Sequence, residues 1–202
     1  MSAPTVSFIT VSVSHWIDFS RRSLYISLLS IAANPLLWNI IGRNEYKNRT
    51  LSRRFGARIS STVLGISIFV AGLLRDVLYR IAIHDQPRYP LPYAVQTLLA
   101  WCLFGLGNAL VGASYLRLGF YGTFCGDYFG ILQTKRVTGF PYNVLDNPMY
   151  VGATLCFVGA ALWYERPAGL LLALYVHITY AVALRFEEPF TRMIYGGREK
   201  ME

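Results

Sequence analysis

Charge is what this chain has least of. Asp, Glu, Lys and Arg make up 15% of its 202 residues, against about 25% in a soluble domain. Those charges cluster, which leaves long uncharged runs between them. With 54% hydrophobic residues, intrinsic disorder is excluded, because so apolar a chain collapses. Cysteine is scarce as well: Cys102, Cys125 and Cys156 are widely spaced and form no CxxC pair. They predict neither a disulfide framework nor a metal site, but small buried hydrophobes. His15, His84 and His177 lack any zinc-ligand spacing, so the expected chemistry uses no metal. No internal repeat or low-complexity linker is present. The first 18 residues hold no Lys or Arg and do not show the basic start and apolar core of a secretory signal. The net charge of +8 comes from basic residues at the edges of apolar runs, not from a separate polar face, which argues against nucleic acid as a partner. What remains is an integral membrane protein.

The uncharged runs predict its spans. Residues 23–41 carry no charge but contain Asn34 and Pro35. Proline removes a backbone donor, and a bilayer needs about 20 helical residues. An intramembrane hairpin or kinked helix is expected there. Residues 42–58 then hold Arg43, Lys47, Arg49, Arg53, Arg54 and Arg58 against one acid, Glu45. This cluster orients the chain by the positive-inside rule or touches anionic headgroups. Residues 59–79 form the next crossing, with its apolar stretch closed by Arg75 and Asp76. Residues 94–116 are the clearest spanning helix. A glycine- and aromatic-rich connector follows, and then 149–184, either one crossing or two helices in a tight hairpin around Glu165-Arg166-Pro167. The expected architecture is all-α, with an N-terminal intramembrane helix and three or four transmembrane helices in a single membrane-embedded domain over 1–202.

Chemistry has few places to sit. Gly105-Leu106-Gly107 cannot be a Rossmann turn, since no strand precedes it. It either packs helices closely or bares backbone to a ligand. Glu187 and Glu188 read either as a solvated helix end before Pro189 or as a carboxylate pair. Acids near a helix C-terminus oppose the macrodipole, and a carboxylate pair can hold a cationic cofactor or accept an amine proton. In the connector, Asn147 and Pro148 read as cap and first helical residue. Clustered glycine at membrane depth suggests irregular backbone lining a cavity.

Three segments carry a resemblance: GDYFGI (126–131), RVTGFPYNVLDNPMYVG (136–152) and ALRFEEPFTRMIY (183–195). Together with NPLLWNI (34–40) they resemble the phosphatidylethanolamine/phospholipid N-methyltransferases. LRDVLY (74–79), followed by Asp85-Gln86-Pro87, is similar to the fungal-type branch, which methylates the mono- and dimethyl intermediates. The resemblance implies S-adenosylmethionine as methyl donor, a phospholipid within the bilayer as substrate, phosphatidylcholine as end product and the endoplasmic reticulum membrane as location, with a mitochondrial membrane as the alternative. It implies donor binding by Gly105, Leu106, Gly107, Glu187, Glu188 and Tyr150. Pro148-Met149-Tyr150-Val151-Gly152 is also similar to the isoprenylcysteine methyltransferases, which usually have His where Asn147 stands. An adjacent carboxylate can take the amine proton, and Glu188 is assigned that catalytic role, with Glu187 on the donor. Open alternatives are a methyltransferase acting on another acceptor, such as an isoprenylcysteine carboxylate, and a non-enzymatic lipid-binding protein.

Overall fold

Residues 15–134 and 137–199 are described here from a computed structural model, the side chains of 197–199 excepted. The Ser- and Thr-rich start therefore lies outside the described residues up to residue 14. Helices α1 (Arg22–Asn48), α2 (Ser52–Phe55), α3 (Ala57–His84), α4 (Tyr93–Thr123), α5 (Pro148–Trp163) and α6 (Pro167–Glu199) follow in order, with a 3-10 turn at Gly126–Phe129. No strand occurs among the described residues. Helices α1, α3, α4 and α6 are each long and apolar enough to cross a membrane, while α5 has 16 residues.

The lengths follow from burial of backbone. In hydrocarbon every N–H and C=O needs an internal partner, so a spanning segment becomes a continuous helix. Large apolar side chains such as Leu29, Ile59, Leu98, Leu116 and Leu174 point outward, where lipid rather than water receives them. Inside, Leu24 and Ile31 of α1 meet Tyr79 and Ile83 of α3, Leu172 and Val176 of α6, and Phe157 of α5. Helix α4 is held mainly by α5. A Cβ built on Gly107 would lie 2.5 Å from the Gly152 carbonyl oxygen, so glycine is what lets these two backbones approach.

Three sequence expectations are corrected. The first uncharged run is neither a hairpin nor broken at Asn34-Pro35: α1 runs through Pro35 for 27 residues. Core residues on both sides of Pro35 pack into one cluster, and it is the hairpin, not the kinked helix, that the continuous α1 overturns. Arg75 and Asp76 do not close α3, which continues to His84. Arg75 pairs with Asp76 at 2.7 Å, donates to the Tyr180 hydroxyl and lies 5.0 Å over the Phe157 ring, so its charge is met inside the bundle. Pro189 does not stop α6, which places Glu187 and Glu188 inside a helix and removes the helix-end explanation for them.

The bundle has two polar ends. At one, Asp18 and Gln86 exchange two hydrogen bonds (2.8 and 3.0 Å), Tyr89 donates to the His15 carbonyl, and Arg88 pairs with Glu165. At the other lie the basic turn after α1, the connector between α4 and α5, and Glu187-Glu188. Glu45, the lone acid of the basic turn, accepts from the Leu51 and Ser52 amides at 2.8 and 2.9 Å. It thereby fixes the turn and starts α2. Gly119 has φ 65°, a left-handed conformation that glycine allows, and bends the last turns of α4 toward the connector.

Candidate functional site

Glu187 is the centre of the second polar end. Trp38 Nε1 and Asn39 Nδ2, neighbours on α1, donate to its Oε1 at 2.7 Å each. The Tyr150 hydroxyl of α5 donates to its Oε2 at 2.6 Å. Two helices therefore fix the carboxylate of a third with three donors, all of them neutral. No Lys, Arg or His pairs with it among the described residues. Arg43, one turn past Asn39, turns instead to the Phe186 carbonyl (2.6 Å) and stacks over the Phe190 ring at 4.8 Å. A half-buried carboxylate among neutral donors keeps most of its negative field, which makes Glu187 a candidate site residue.

Next to it, two buried polar atoms have no hydrogen-bond partner: Asn39 Oδ1, an acceptor, and Arg43 Nε, a donor. Buried polar atoms are nearly always paired in native proteins. An open acceptor and an open positive donor one turn apart on α1, beside a carboxylate of α6 without a cation, are of the chemistry that suits a ligand carrying both charges.

Glu188 differs from its neighbour. One residue on is about 100° around the helix, which turns this side chain outward to 44% exposure. Asn147 Nδ2 donates to Oε1 at 3.1 Å, and Arg192 faces Oε2 at 3.3 Å. Asn147 does precede α5, with Pro148 as its first residue, but its side chain makes no capping bond. It reaches Glu188 instead. A cavity of about 260 Å³ lies between α5 and α6, lined by Asn147, Tyr150, His177, Tyr180 and Leu184. It borders the partners of both carboxylates.

The connector covers this end. Tyr128 stacks on Phe190 of α6 at 5.3 Å and packs against Gly42 of α1, where a Cβ would come within 3.1 Å of its ring. Tyr150 also meets the Tyr180 ring at 4.7 Å, which continues the network from Glu187 through Tyr180 to Arg75.

The structure thus brings Tyr150 to Glu187 and Asn147 to Glu188. Of the glycine motif, Gly107 alone is set against another helix. Gly107 is taken up by α5, and Leu106 is exposed on the outer surface of α4. Gly105 is the member with open space, since nothing lies within 4 Å of a Cβ built there. Trp38, Asn39 and Arg43 were missing from the sequence-based site. Their signal was a tryptophan and an asparagine side by side in an otherwise uncharged run, within the segment 34–40.

Comparisons with known proteins fall on one family. The sequence profile of the phospholipid methyltransferases matches residues 95–198. The chain is 46% identical to the phosphatidyl-N-methylethanolamine N-methyltransferase of Neurospora crassa over 200 residues, 98% of this chain and 94% of the relative. It is 43% identical to the Saccharomyces cerevisiae protein of the same name, over 97% of this chain and 96% of that one. To the human phosphatidylethanolamine N-methyltransferase it is 44% identical, over 89% of this chain and 92% of the relative. No solved structure matches.

Proposed function

The chain belongs to the phospholipid methyltransferase family, and from that premise we propose that it methylates the amine of phosphatidylethanolamine-derived lipids, the mono- and dimethyl intermediates included, toward phosphatidylcholine. The donor in this proposal is S-adenosylmethionine, and the membrane is that of the endoplasmic reticulum. The observation that carries it is Glu187, a carboxylate held by Trp38, Asn39 and Tyr150 without a counter-cation.

The donor set suits a sulfonium amino acid. Glu187 would hold its positive charge, Asn39 Oδ1 its ammonium and Arg43 Nε its carboxylate, each from an atom now without an ionic or hydrogen-bond partner of that kind. Gly105 is the motif glycine free to lie against a ligand, while Gly107 sets the α4–α5 distance. When bound, S-adenosylmethionine supplies a methyl group on a cationic sulfur. The protein's own task is to position charge and to move a proton. Preorganised groups outside bulk water act on a developing charge without reorganising. Tyr150 orients the Glu187 carboxylate in that role.

The lipid amine attacks only when neutral. Glu188 is the carboxylate suited to accept its proton, because it is exposed and can pass that proton on to water. Asn147 holds Oε1 in place. The apolar cavity between α5 and α6 lies beside both carboxylates and suits an acyl chain of the acceptor.

The test separates binding from turnover. Purified protein in detergent binds S-adenosylmethionine in a calorimetric titration, and labelled methyl is incorporated with each of the three successive amine lipids. Protein that binds the donor but methylates an isoprenylcysteine carboxylate in place of the amines would transfer the assignment to that acceptor. No binding at all would leave a lipid-binding role. Sidedness is tested separately. Single cysteines at Arg49 and Arg198, in a background without native cysteines, label from the cytosol before permeabilisation.

A further inference from the structure

A second, larger cavity lies away from the carboxylates. It measures about 600 Å³, sits between α3, α4 and α5, and includes none of Trp38, Asn39, Tyr150, Glu187 or Glu188 in its lining. Its origin is architectural. Helix α3 leans on α1 and α4 leans on α5, so α3 and α4 barely touch and leave a cleft toward the bilayer.

The lining is mostly apolar, with Trp101, Phe104, Val111 and Phe157 among its residues, but α3 contributes charges. Arg75 is committed to Asp76, to Tyr180 and to the Phe157 ring. Asp76 is half exposed and uses only Oδ1. Arg80, one turn further on, is exposed and has no ion-pair partner among the described residues. An acceptor and a free cation thus stand about 6 Å apart along the helix axis, at the mouth of an apolar slot. That slot lies in the half of the bilayer opposite the basic turn, because α3 starts beside that turn at Ala57 and ends at His84. Arg80 is four residues from that end, at headgroup depth. Trp101 and Trp163, in edge contact at 5.6 Å, mark the same level, as tryptophans do at a membrane interface.

We propose that this cavity binds one intact zwitterionic phospholipid from the leaflet opposite the Glu187 cluster. Its phosphate sits on Arg80, its ammonium on Asp76 Oδ2 and the faces of Trp101 and Phe104, and one acyl chain in the slot. The charge sequence decides the occupant. A free Arg favours the phosphodiester, a free carboxylate oxygen beside aromatic faces favours an ammonium, and a lipid with a phosphate alone leaves Asp76 repelled. The site does not depend on the methyl-transfer proposal, since it shares no residue with it.

The test uses the full-length protein in phosphatidylcholine nanodiscs that hold a trace of diazirine-acyl phosphatidylcholine, with labelled peptides mapped by mass spectrometry. Label is expected on the segments carrying Phe104, Val111 and Ala153. Arg80→Gln, an unpaired side chain, and Ala153→Trp, which fills the slot, should each cut that label about tenfold, equivalent to one good polar contact. S-adenosylmethionine binding should stay as in the parent protein for both variants, and thermal unfolding for Arg80→Gln; Ala153 packs against the core, so its Trp variant is expected to melt lower. Label at these segments indifferent to both substitutions would overturn the site. Equal labelling by a diazirine-acyl phosphatidylglycerol would overturn the zwitterionic assignment. If donor binding fails while this labelling holds, the methyltransferase reading falls and the lipid site stands.

Discussion

The two polar ends of the bundle use similar side chains to opposite effect. At the end with Asp18, Gln86 and Glu165, both carboxylate-bearing turns are tied by their partners, with buried Arg166 Nε left over. Both amide atoms of Gln86 are bonded to the Asp18 backbone, Arg88 meets Glu165, and Arg166 caps the Gln86 carbonyl. At the end with Glu187, the carboxylate has donors but no cation among the described residues, and Asn39 Oδ1 and Arg43 Nε are left over. Matched charges lock a turn, and in the reading proposed above the groups around Glu187 are there for the methyl donor. A buried charge without its partner is costly, and a fold that keeps one needs a use for it.

The sharpest way to break this contrast is to neutralise the carboxylates one at a time. Glu188→Gln keeps the size and the bond from Asn147 but cannot take a proton. It should lower kcat by about 10²- to 10⁴-fold, the usual range for general acid–base help, with donor affinity little changed. Glu187→Gln should do the reverse, weakening S-adenosylmethionine binding by about 10- to 100-fold, as expected for a hydrogen bond or contact to a charge. Calorimetry and single-turnover methyl incorporation read the two effects separately. Equal, small effects from both would return the pair to a solvated helix face.

How much of this was legible beforehand depends on the reach of each interaction. The run 94–116 announces α4 because its apolar character is local. Arg75-Asp76 looked like the end of a span because what accommodates the charge, Tyr180 and Phe157, comes from helices about a hundred residues on. The inequality of Glu187 and Glu188 was expected from chemistry. Which one turns inward is set by Trp38, Asn39 and Tyr150, partners 149, 148 and 37 residues away. The same holds for Asn147, whose cap position was readable while its bond to Glu188 was not. Pro35 and Pro189 misled for a related reason: propensity breaks a helix, and tertiary packing carries it through.

A smaller effect sharpens the role of the glycines. Gly107→Leu drives a side chain into the Gly152 carbonyl and Cys156, and should cost about 1–3 kcal/mol of stability through overpacking, seen as a lower melting temperature in detergent. Gly105→Leu meets open space and should leave the melting temperature unchanged. If it still weakens donor binding, Gly105 lies against the ligand. If it leaves binding untouched, the glycine motif belongs to helix packing alone.

The smallest effect belongs to the matched end and tests whether that end is purely structural. Gln86→Ala deletes two hydrogen bonds to the Asp18 backbone but leaves the Gln86 carbonyl that receives Arg166. Net hydrogen-bond contributions of roughly 0.5–1.5 kcal/mol each predict a modest loss of stability. Donor affinity and kcat should be unchanged, because the bonds that hold Glu187 come from the far end of α1 and the start of α5. Proteolysis between α3 and α4 should speed up, since the turn loses its tie to the start of α1. A fall in kcat with intact stability would mean that the two ends are coupled through α3, with Arg75 and Tyr180 as the connecting pair.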